Sequence, residues 1–324
     1  MTKILIVGGA GFIGFALAKR LSKKLNNKIT ILDNLSRGQL DNEFLGLLKK
    51  KNVKFLKKDL TKKLNINRRD FDYIFQFAAI VGVRNVYLKP LKVLDINVKI
   101  QSNLIEFAYK QKALKKFIFT STSEIFLGSL EKKKIKFPTS EKETIILNNL
   151  SNPRSTYMLS KIYCEALLIH SGLNYLILRP HNIFGPRMGY DHVIPELIKK
   201  ISKLNNSNDS IIIENPNHKR AFCFIEDAID QIVSLYTNLK ADFKTVNIGS
   251  PREIKILVLA KHILKKMNKN KIRIIKKDIK NRSPLRRVPD LNLNFKLTKL
   301  SKRVNFNISL VKTIDWYKKN YAKN

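Results

Sequence analysis

The 324-residue sequence predicts an α/β protein with a doubly wound parallel sheet and a smaller second portion. Two observations support this fold class. Near-continuous apolar segments alternate with helical segments in the first half, which is typical of parallel strands covered by helices on both faces. A glycine-rich turn also joins the first strand, Lys3–Val7, to the first helix, Phe12–Leu25, as in sheets that bind nucleotides.

Further strands and helices alternate up to about residue 180. The predicted strands are Lys28–Leu32, Val53–Leu56, Asp72–Phe77, Phe117–Thr120 and Tyr175–Leu178, and the later helices lie near Leu91–Lys110 and Arg154–His170. Beyond residue 181 the predicted helices lie near Ile194–Lys203, Asp227–Leu239 and Ile254–Met267. Short strands and loops containing Pro, Asn and Gly separate them. We therefore predict a dinucleotide-binding domain at residues 1–180 and a smaller α+β substrate-binding portion at residues 181–324, with some segments interleaved.

The formal net charge of +38 is extreme for a chain of this length. Such a charge would suit a nucleic-acid-binding protein. The lysines, however, are spread over every segment rather than gathered on one element. We therefore expect no nucleic-acid partner, and a non-catalytic nucleic-acid-binding relative of this fold is a remote alternative. A basic surface would also attract an anionic substrate.

The two cysteines, Cys164 and Cys223, are too few for a disulfide framework and are not spaced as metal ligands. We therefore predict no metal site and expect a cytoplasmic protein. The apolar run Ile4–Ala18 superficially resembles a secretory signal, but its glycines favour the phosphate-binding interpretation given below. No segment approaches the length of about 20 apolar residues that spans a membrane, so no membrane partner is expected.

The glycine-rich turn has the spacing Gly-x-x-Gly-x-x-Gly, from Gly8 through Gly11 to Gly14. Gly8 permits a tight turn, Gly11 lets the backbone approach a pyrophosphate, and Gly14 lets helix and strand pack closely. Phe12 and Ile13 lie between the last two glycines, at a helix N-terminus whose free N–H groups favour an anion. This turn is therefore predicted to bind a dinucleotide.

An acidic residue stands where such a cofactor needs one. Asp33 ends the second strand, 19 residues after Gly14, where a carboxylate can bind the ribose 2′-hydroxyl and repel a 2′-phosphate. This favours NAD over NADP, although Arg37 leaves NADP open because an arginine could accept the 2′-phosphate. Asp59 and Leu60, just after the third strand, are candidates for the edge of the adenine.

Two further motifs suggest an alcohol-oxidising site. Tyr157 and Lys161 are four residues apart, so on a helix they share one face, and a nearby ammonium group would favour the phenolate form of the tyrosine. The phenolate could then take a proton from a carbinol while hydride leaves to the cofactor. Thr122 and Glu124 follow the fifth strand, where the hydroxyl can hold the reacting oxygen and the carboxylate can act as a second acid or base.

Taken together, these motifs resemble the extended short-chain dehydrogenase/reductase family, the NAD-dependent epimerases and dehydratases of nucleotide sugars, over nearly the whole chain. The resemblance implies a Rossmann domain in which Thr122, Tyr157 and Lys161 are catalytic. It implies further cofactor contacts from Asn34, Phe77, Ala78 and Ala79. For the substrate, including its diphosphate, it implies contacts from Arg84, Ser123, Asn182, Arg220, Arg282 and Arg287. The segment Gly185-Pro186-Arg187 also occurs in many members.

The resemblance implies a 4-keto sugar intermediate but leaves its fate open. Thr122-Ser123-Glu124 resembles dehydratases and UDP-glucuronate decarboxylases, which would use Glu124. Asp33-Asn34-Leu35 resembles UDP-glucose 4-epimerases, and Ser123 replaces the aspartate of the dehydratases. These residues narrowly favour an epimerase, with dehydration or decarboxylation as alternatives. The resemblance also implies a homodimer formed through the helices near Leu91–Lys110 and Arg154–His170.

Overall fold

The structure, a computed structural model, describes residues 1–147, 149–204, 209–279, 284–301 and 303–321. Its strands are β1 (Thr2–Val7), β2 (Asn27–Asp33), β3 (Val53–Lys57), β4 (Tyr73–Gln76), β5 (Lys116–Thr120), β6 (Tyr175–Pro180), β7 (Ile183–Phe184), β8 (Ser210–Glu214), β9 (Lys219–Ala221), β10 (Cys223–Phe224), β11 (Lys244–Ile248), β12 (Glu253–Lys255), β13 (Arg273–Lys277) and β14 (Arg286–Arg287).

The α-helices are α1 (Phe12–Leu21), α2 (Asn42–Leu48), α3 (Val83–Leu88), α4 (Pro90–Tyr109), α5 (Leu127–Glu131), α6 (Arg154–Ile169), α7 (Val193–Ser202), α8 (Ile225–Tyr236), α9 (Ile256–Lys266), α10 (Asn292–Thr298) and α11 (Phe306–Tyr321). Two short 3-10 helices lie at Ser123–Phe126 and Leu239–Ala241. Within the described ranges, no helix is long and apolar enough to cross a membrane.

The predicted fold class is confirmed. Seven parallel strands form the main sheet in the order β11-β6-β5-β4-β1-β2-β3. Strands β2 and β3 are added on one side of β1, and β4, β5 and β6 are added on the other side, so the strand order changes direction between β1 and β4. In such sheets, ligands bind outside the carboxyl ends of the strands at this point. The glycine-rich turn follows β1 and Phe77 follows β4, so both lie at this point.

Alternation along β1 shows why a nearly continuous apolar strand is needed here. Ile4 and Ile6 belong to a core cluster on one side of the sheet, and Leu5 and Val7 belong to a second cluster on the other side. All four side chains are fully buried. Since side chains alternate across a strand, a sheet covered on both faces requires apolar residues at every position.

The domain boundary near residue 180 remains a prediction, and a strand from beyond it joins the main sheet. β11 comes from the second half and pairs in parallel with β6 at the edge of the main sheet. The second half otherwise forms small sheets, in the orders β10-β7, β12-β9-β14 and β13-β8. Helix α8 of the second half also packs against α1. These contacts join the second half to strand β6 and to helix α1 of the first half.

Candidate active site

The glycine turn leaves no room for larger residues. Gly8 has a φ of 75°, in the region that favours glycine, and a Cβ there would lie 2.6 Å from the backbone N of Ala78. A Cβ at Gly14 would overlap the carbonyl oxygen of Gly8. Gly11 precedes Phe12, where α1 begins, so the first N–H groups of α1, including that of Ile13, border the turn. This geometry fits the pyrophosphate of a dinucleotide.

The carboxylate of Asp33 is built into the same turn. It is buried, and its oxygens accept hydrogen bonds from the backbone N–H of Ala10 at 3.0 Å and of Leu35 at 2.8 Å. An ionised carboxylate has about four acceptor positions, so capacity remains for ribose hydroxyls. Asn34 is exposed, and its side-chain oxygen accepts from the N–H of Ser36 at 2.9 Å. These bonds shape the loop that would surround the adenosine ribose.

Arg37 extends away from Asp33 and toward the second half of the chain. A Cβ at Gly189 would lie 2.5 Å from Nη2 of Arg37. Burial lowers the pKa of Arg37, while Tyr157 and Asp191 are the nearest groups that favour its charge. The guanidinium therefore lies against Gly189 in the second half of the chain, close enough to Tyr157 for the two charges to influence each other.

Two buried amides that the sequence interpretation missed hold the wall opposite the glycine turn. The side chain of Gln76 accepts from the N–H of Ala78 at 2.8 Å and donates to its carbonyl at 3.1 Å. Asn97 binds the backbone of Ile80 in the same way, at 2.7 Å and 3.2 Å. These bonds fix Phe77-Ala78-Ala79 against Gly8. A polar residue at the end of the apolar strand β4 was the available signal for Gln76.

The residues after β3 lie at the rim of this cleft. Asp59 is exposed, and hydrogen bonds from the N–H and hydroxyl of Thr61, at 3.0 Å and 2.8 Å, lower its pKa. Leu60 is buried, and its carbonyl accepts from Asn103 at 2.9 Å. The contact of this pair with adenine remains a prediction.

The predicted catalytic residues come together at the carboxyl end of β5. Tyr157 and Lys161 lie on α6, and the hydroxyl of Tyr157 shares a hydrogen bond with the side chain of Thr122. Thr122 also accepts from the N–H of Glu124 at 3.1 Å, which fixes its hydroxyl at the start of the 3-10 helix. The Nζ of Lys161 donates to the carbonyl of Thr120 at 2.7 Å.

The protonation of this group differs from the expectation. Burial raises the pKa of Tyr157 above its usual value, and the hydrogen bond with Thr122 and the charge of Arg37 only partly oppose this. Burial also lowers the pKa of Lys161 to about 8. Lys161 therefore does not by itself produce a phenolate. A carbinol oxygen placed between Thr122 and Tyr157 would nevertheless meet two hydroxyl groups.

Glu124 is held between two arginines rather than facing solvent. One carboxylate oxygen accepts from Nη2 of Arg154 at 2.8 Å, and the other accepts from Nη1 of Arg287. Burial opposes the negative charge, but Arg287 and Arg154 outweigh it and lower the pKa to about 2. Ser123, between Thr122 and Glu124, is buried. Glu124 is therefore ionised at neutral pH while the two arginines hold it, a state that suits a base rather than an acid, and its catalytic role stays a prediction.

Residues predicted to bind the diphosphate lie beside this arginine pair. Asn182 has a φ of 43°, and its buried Nδ2 has no hydrogen-bond partner among the described residues. Arg220 is buried, donates to the carbonyls of Lys219 and Pro284 at 2.7 Å, and has its pKa lowered to about 9 by burial and then by Arg287. The Nδ2 of Asn182 could therefore donate to an anion, whereas the guanidinium of Arg220 is already bound to backbone carbonyls.

For two other residues predicted to bind the substrate, the structure gives no contact with Glu124 or its arginines among the described residues. Arg84 is exposed on α3. Arg282 lies outside the described residues. By contrast, the sequence interpretation omitted Arg154, although its position three residues before Tyr157 places both on one side of α6.

Comparison with known proteins agrees with this geometry. Residues 4–249 match the model of the NAD dependent epimerase/dehydratase family. The chain is 30% identical over 269 residues to a UDP-N-acetyl-alpha-D-glucosaminuronate decarboxylase of Bacillus cytotoxicus, covering 81% of this chain and 79% of the relative. It is 33% identical over 274 residues to a dTDP-D-glucose 4,6-dehydratase of Dictyostelium discoideum, covering 81% of this chain and 61% of the relative.

The fold has a close match among solved structures. The UDP-glucuronic acid 4-epimerase of Bacillus cereus, solved with UDP-glucuronic acid and NAD, aligns with a TM-score of 0.83 at 24% identity. The alignment covers 99% of this chain and 100% of the epimerase. The two proteins therefore share one fold.

Proposed function

The chain belongs to the NAD-dependent epimerase/dehydratase family of enzymes, and from this we propose that it oxidises a nucleotide-linked sugar acid at C4 and decarboxylates the resulting keto acid. The observation that carries the proposal is the placement of Glu124 between Arg154 and Arg287, next to Thr122. This site already binds one carboxylate, and a carboxylate at C6 of the sugar would suit the same arginines.

The first step uses the three residues that meet at the end of β5. In its phenolate form, which the positive charge of bound NAD would favour, Tyr157 would accept the proton of the C4 hydroxyl, and Thr122, which shares a hydrogen bond with Tyr157, would hold the reacting oxygen. Lys161 is fixed by Thr120, beneath the tyrosine, where it would bind a ribose hydroxyl of the cofactor. The glycine turn and Asp33 would hold NAD, which when bound accepts the hydride from C4.

Oxidation at C4 makes the substrate a β-keto acid if C6 is a carboxylate. When the C5–C6 bond breaks, carbon dioxide leaves and the bonding electrons pass to C5 and the C4 oxygen. The hydroxyls of Thr122 and Tyr157 can stabilise the enolate oxygen that forms. Solvent water would protonate C5. Return of the hydride to C4, with the proton held by Tyr157 passing back to the C4 oxygen, would complete the reaction, so the cofactor ends in its starting state.

The arginine pair has a double role in this scheme. Arg154 and Arg287 would bind the substrate carboxylate, while Arg220 and Asn182 would bind the diphosphate. Glu124 competes for the same guanidinium groups. This competition would limit the affinity of the arginines for the substrate carboxylate, and tight binding of the ground state would not accelerate the reaction.

The same geometry disfavours dehydration. Loss of a C6 hydroxyl needs an acid that protonates the departing oxygen. While Arg154 and Arg287 hold Glu124, its pKa is lowered to about 2 and it is not protonated near neutral pH. The neighbouring Ser123 carries only a hydroxyl, which is a far weaker acid than a carboxylic acid.

Epimerisation at C4 is the second candidate function, because oxidation and re-reduction require only Thr122, Tyr157 and Lys161. The sequence favoured epimerisation because Asp33-Asn34-Leu35 resembles the corresponding segment of UDP-glucose 4-epimerases. In the structure, however, Asp33 and Asn34 bind backbone N–H groups in and around the cofactor loops. That segment therefore supports cofactor binding and does not indicate the fate of the keto sugar. Because Arg154 and Arg287 could bind a substrate carboxylate, we favour decarboxylation over epimerisation.

A panel of nucleotide-linked neutral hexoses and hexuronic acids tests the proposal, with the products identified by mass. We expect loss of carbon dioxide from a hexuronic acid and no reaction of the neutral sugars. An unchanged mass with an inverted C4 would instead establish the epimerase, and loss of water would establish a dehydratase.

We also propose that the chain forms a homodimer through α4 and α6. These two helices pack against each other on the edge of the first domain. Their outer face exposes the side chains of Tyr109, Tyr163 and Ile169, by 59%, 50% and 42%. Aromatic side chains of this kind are enriched at the centres of protein interfaces.

A further inference from the structure

Arg187 reaches from the second half of the chain into the walls of the cofactor site. Its side chain is only 7% exposed. Nη1 donates to the carboxylate of Asp41, and Nη2 donates to the carbonyl of Ala10 at 3.3 Å and lies 3.5 Å from that of Gln39. The guanidinium also covers the ring of Phe15, at 4.1 Å from its centroid. One side chain thus binds three separate segments.

Two of these segments form opposite sides of the adenosine site. Ala10 lies within the glycine turn, and its own N–H donates to Asp33. Asp41 ends the loop that follows Asp33, and it caps α2 by accepting from the N–H of Phe44 at 2.9 Å. Gly38 in the same loop lies so close to Ala10 that a Cβ there would be 2.5 Å from that of Ala10. Arg187 therefore fixes the spacing between the turn and the loop.

The chain holds Arg187 in this position at some energetic cost. Its φ is 67°, which is unfavourable for a residue with a long side chain. Its Nε is buried without a hydrogen-bond partner among the described residues. The adjacent Met188 is anchored from α11, because its carbonyl accepts from the hydroxyl of Tyr317. Strained backbone that neighbouring contacts enforce is found most often at functional sites.

We propose that Arg187 is a positioning residue that retains the cofactor: by holding Ala10 and Asp41 together, it sets the rate at which NAD leaves. Bound NAD would lie against both segments, so their separation would ease its release. Separation requires the bonds of Arg187 to Asp41 and Ala10 to break. The inference depends on the cofactor alone and stands whether the keto sugar is decarboxylated or epimerised.

The test measures NAD dissociation in the absence of substrate, with a fluorescent NAD analogue chased by excess NAD. Arg187→Met should release the analogue about tenfold to a hundredfold faster, as expected for the loss of hydrogen bonds to a charged group. Arg187→Lys should recover part of this effect, because an ammonium can pair with Asp41 but lacks the fork that also reaches Ala10. Turnover per bound NAD should change much less than dissociation.

Arg68→Met is the matched control. Arg68 pairs with Asp70 at 2.7 Å and covers the ring of Phe71 at 5.0 Å, but it precedes β4, at the end of the strands opposite to the glycine turn. Its replacement removes the same kinds of contact and should leave the dissociation rate within about twofold of wild type. If Arg187→Met retained NAD like wild type, or if Arg68→Met lost it equally fast, the proposal would be overturned.

A second variant covers the case in which Arg187→Met does not fold. Asp41→Asn removes the charge that Arg187 binds, while asparagine caps a helix as well as aspartate does. It should accelerate dissociation in the same direction. In the double variant with Arg187→Lys, the two effects should fall short of additivity, because both substitutions break one interaction. Fully additive effects would contradict a direct link between the two residues.

Discussion

The carboxylate of Glu124 is ion-paired with the guanidinium of Arg287, although the two residues are 163 positions apart in the sequence. Arg154 holds the other carboxylate oxygen. This pairing joins the first half of the chain, which carries Tyr157, to β14 in the second half. It also places two guanidinium groups near the hydroxyls of Thr122 and Tyr157, where we propose that a substrate carboxylate binds.

Arg287→Met should impair the reaction of a nucleotide-linked hexuronic acid by about 100-fold or more in kcat/KM, because truncating one partner of a buried charge pair costs several kcal/mol. Arg286→Met is the matched control, since Arg286 precedes it in β14 and pairs instead with Glu253. Steady-state kinetics of both variants provide the measurement. Equal losses in the two variants would show that the effect is not specific to the Glu124 site.

Acid should weaken the fold through Glu124. Its pKa is lowered from 4.5 in the unfolded chain to about 2. Because the folded value is the lower one, the stabilisation is complete above about pH 4.5 and is lost as the pH falls toward 2. The shift corresponds to about 3 kcal/mol. Free energies of unfolding in urea should therefore show the advantage of wild type over Glu124→Gln shrinking below about pH 5, and a pH-independent difference would contradict the ion pair.

Gly14→Ala should weaken both the fold and NAD binding, because its Cβ would overlap the carbonyl oxygen of Gly8. Overpacking of this kind costs about 1–3 kcal/mol. Gly46→Ala is the matched control: Gly46 lies in α2 with no atom within 4 Å of an added Cβ. That variant should gain about 0.5–1 kcal/mol from helix propensity. Urea unfolding and NAD titration measure both effects, and a Gly14→Ala variant that binds NAD normally would refute the tight-turn interpretation.

Tyr163→Asp should shift the protein from dimer to monomer, because it places a charge on the exposed face of α6. We expect the dissociation constant to rise about tenfold or more. Leu239→Asp alters an apolar residue that is 80% exposed elsewhere on the surface and should have no such effect. Sedimentation velocity over a range of concentrations measures the change. A wild-type protein that sediments as a monomer would contradict the proposed interface.

Features encoded in short segments could be predicted from the sequence. Gly8, Gly11 and Gly14 lie within seven residues, and their spacing with Asp33 indicated both the fold class and the cofactor. The pairing of Tyr157 with Lys161 follows from helix geometry alone. The strands were equally accessible, since burial on both faces produces continuous apolar segments such as β1.

Features that depend on distant partners could not be predicted. The sequence showed Glu124 but not its arginines, which lie 30 and 163 positions away. The charge of Glu124 therefore could not be predicted, because it depends on the two guanidinium groups that favour loss of its proton. Likewise, Arg187 and Asp41 are 146 positions apart, and no local pattern links them. The effect of burial on Tyr157 and Lys161 also depends on packing that only the tertiary structure supplies.

The most direct test of the proposed function is the fate of a labelled carboxyl carbon. A UDP-linked hexuronic acid with ¹³C at C6 is incubated with the NAD-loaded protein, and with Tyr157→Phe as the control that retains the cofactor but lacks the proton acceptor. We expect wild type to release the label as carbon dioxide, and Tyr157→Phe to release it more slowly by several orders of magnitude. Retention of the label in a product epimerised at C4, or equal release by the two proteins, would contradict this expectation.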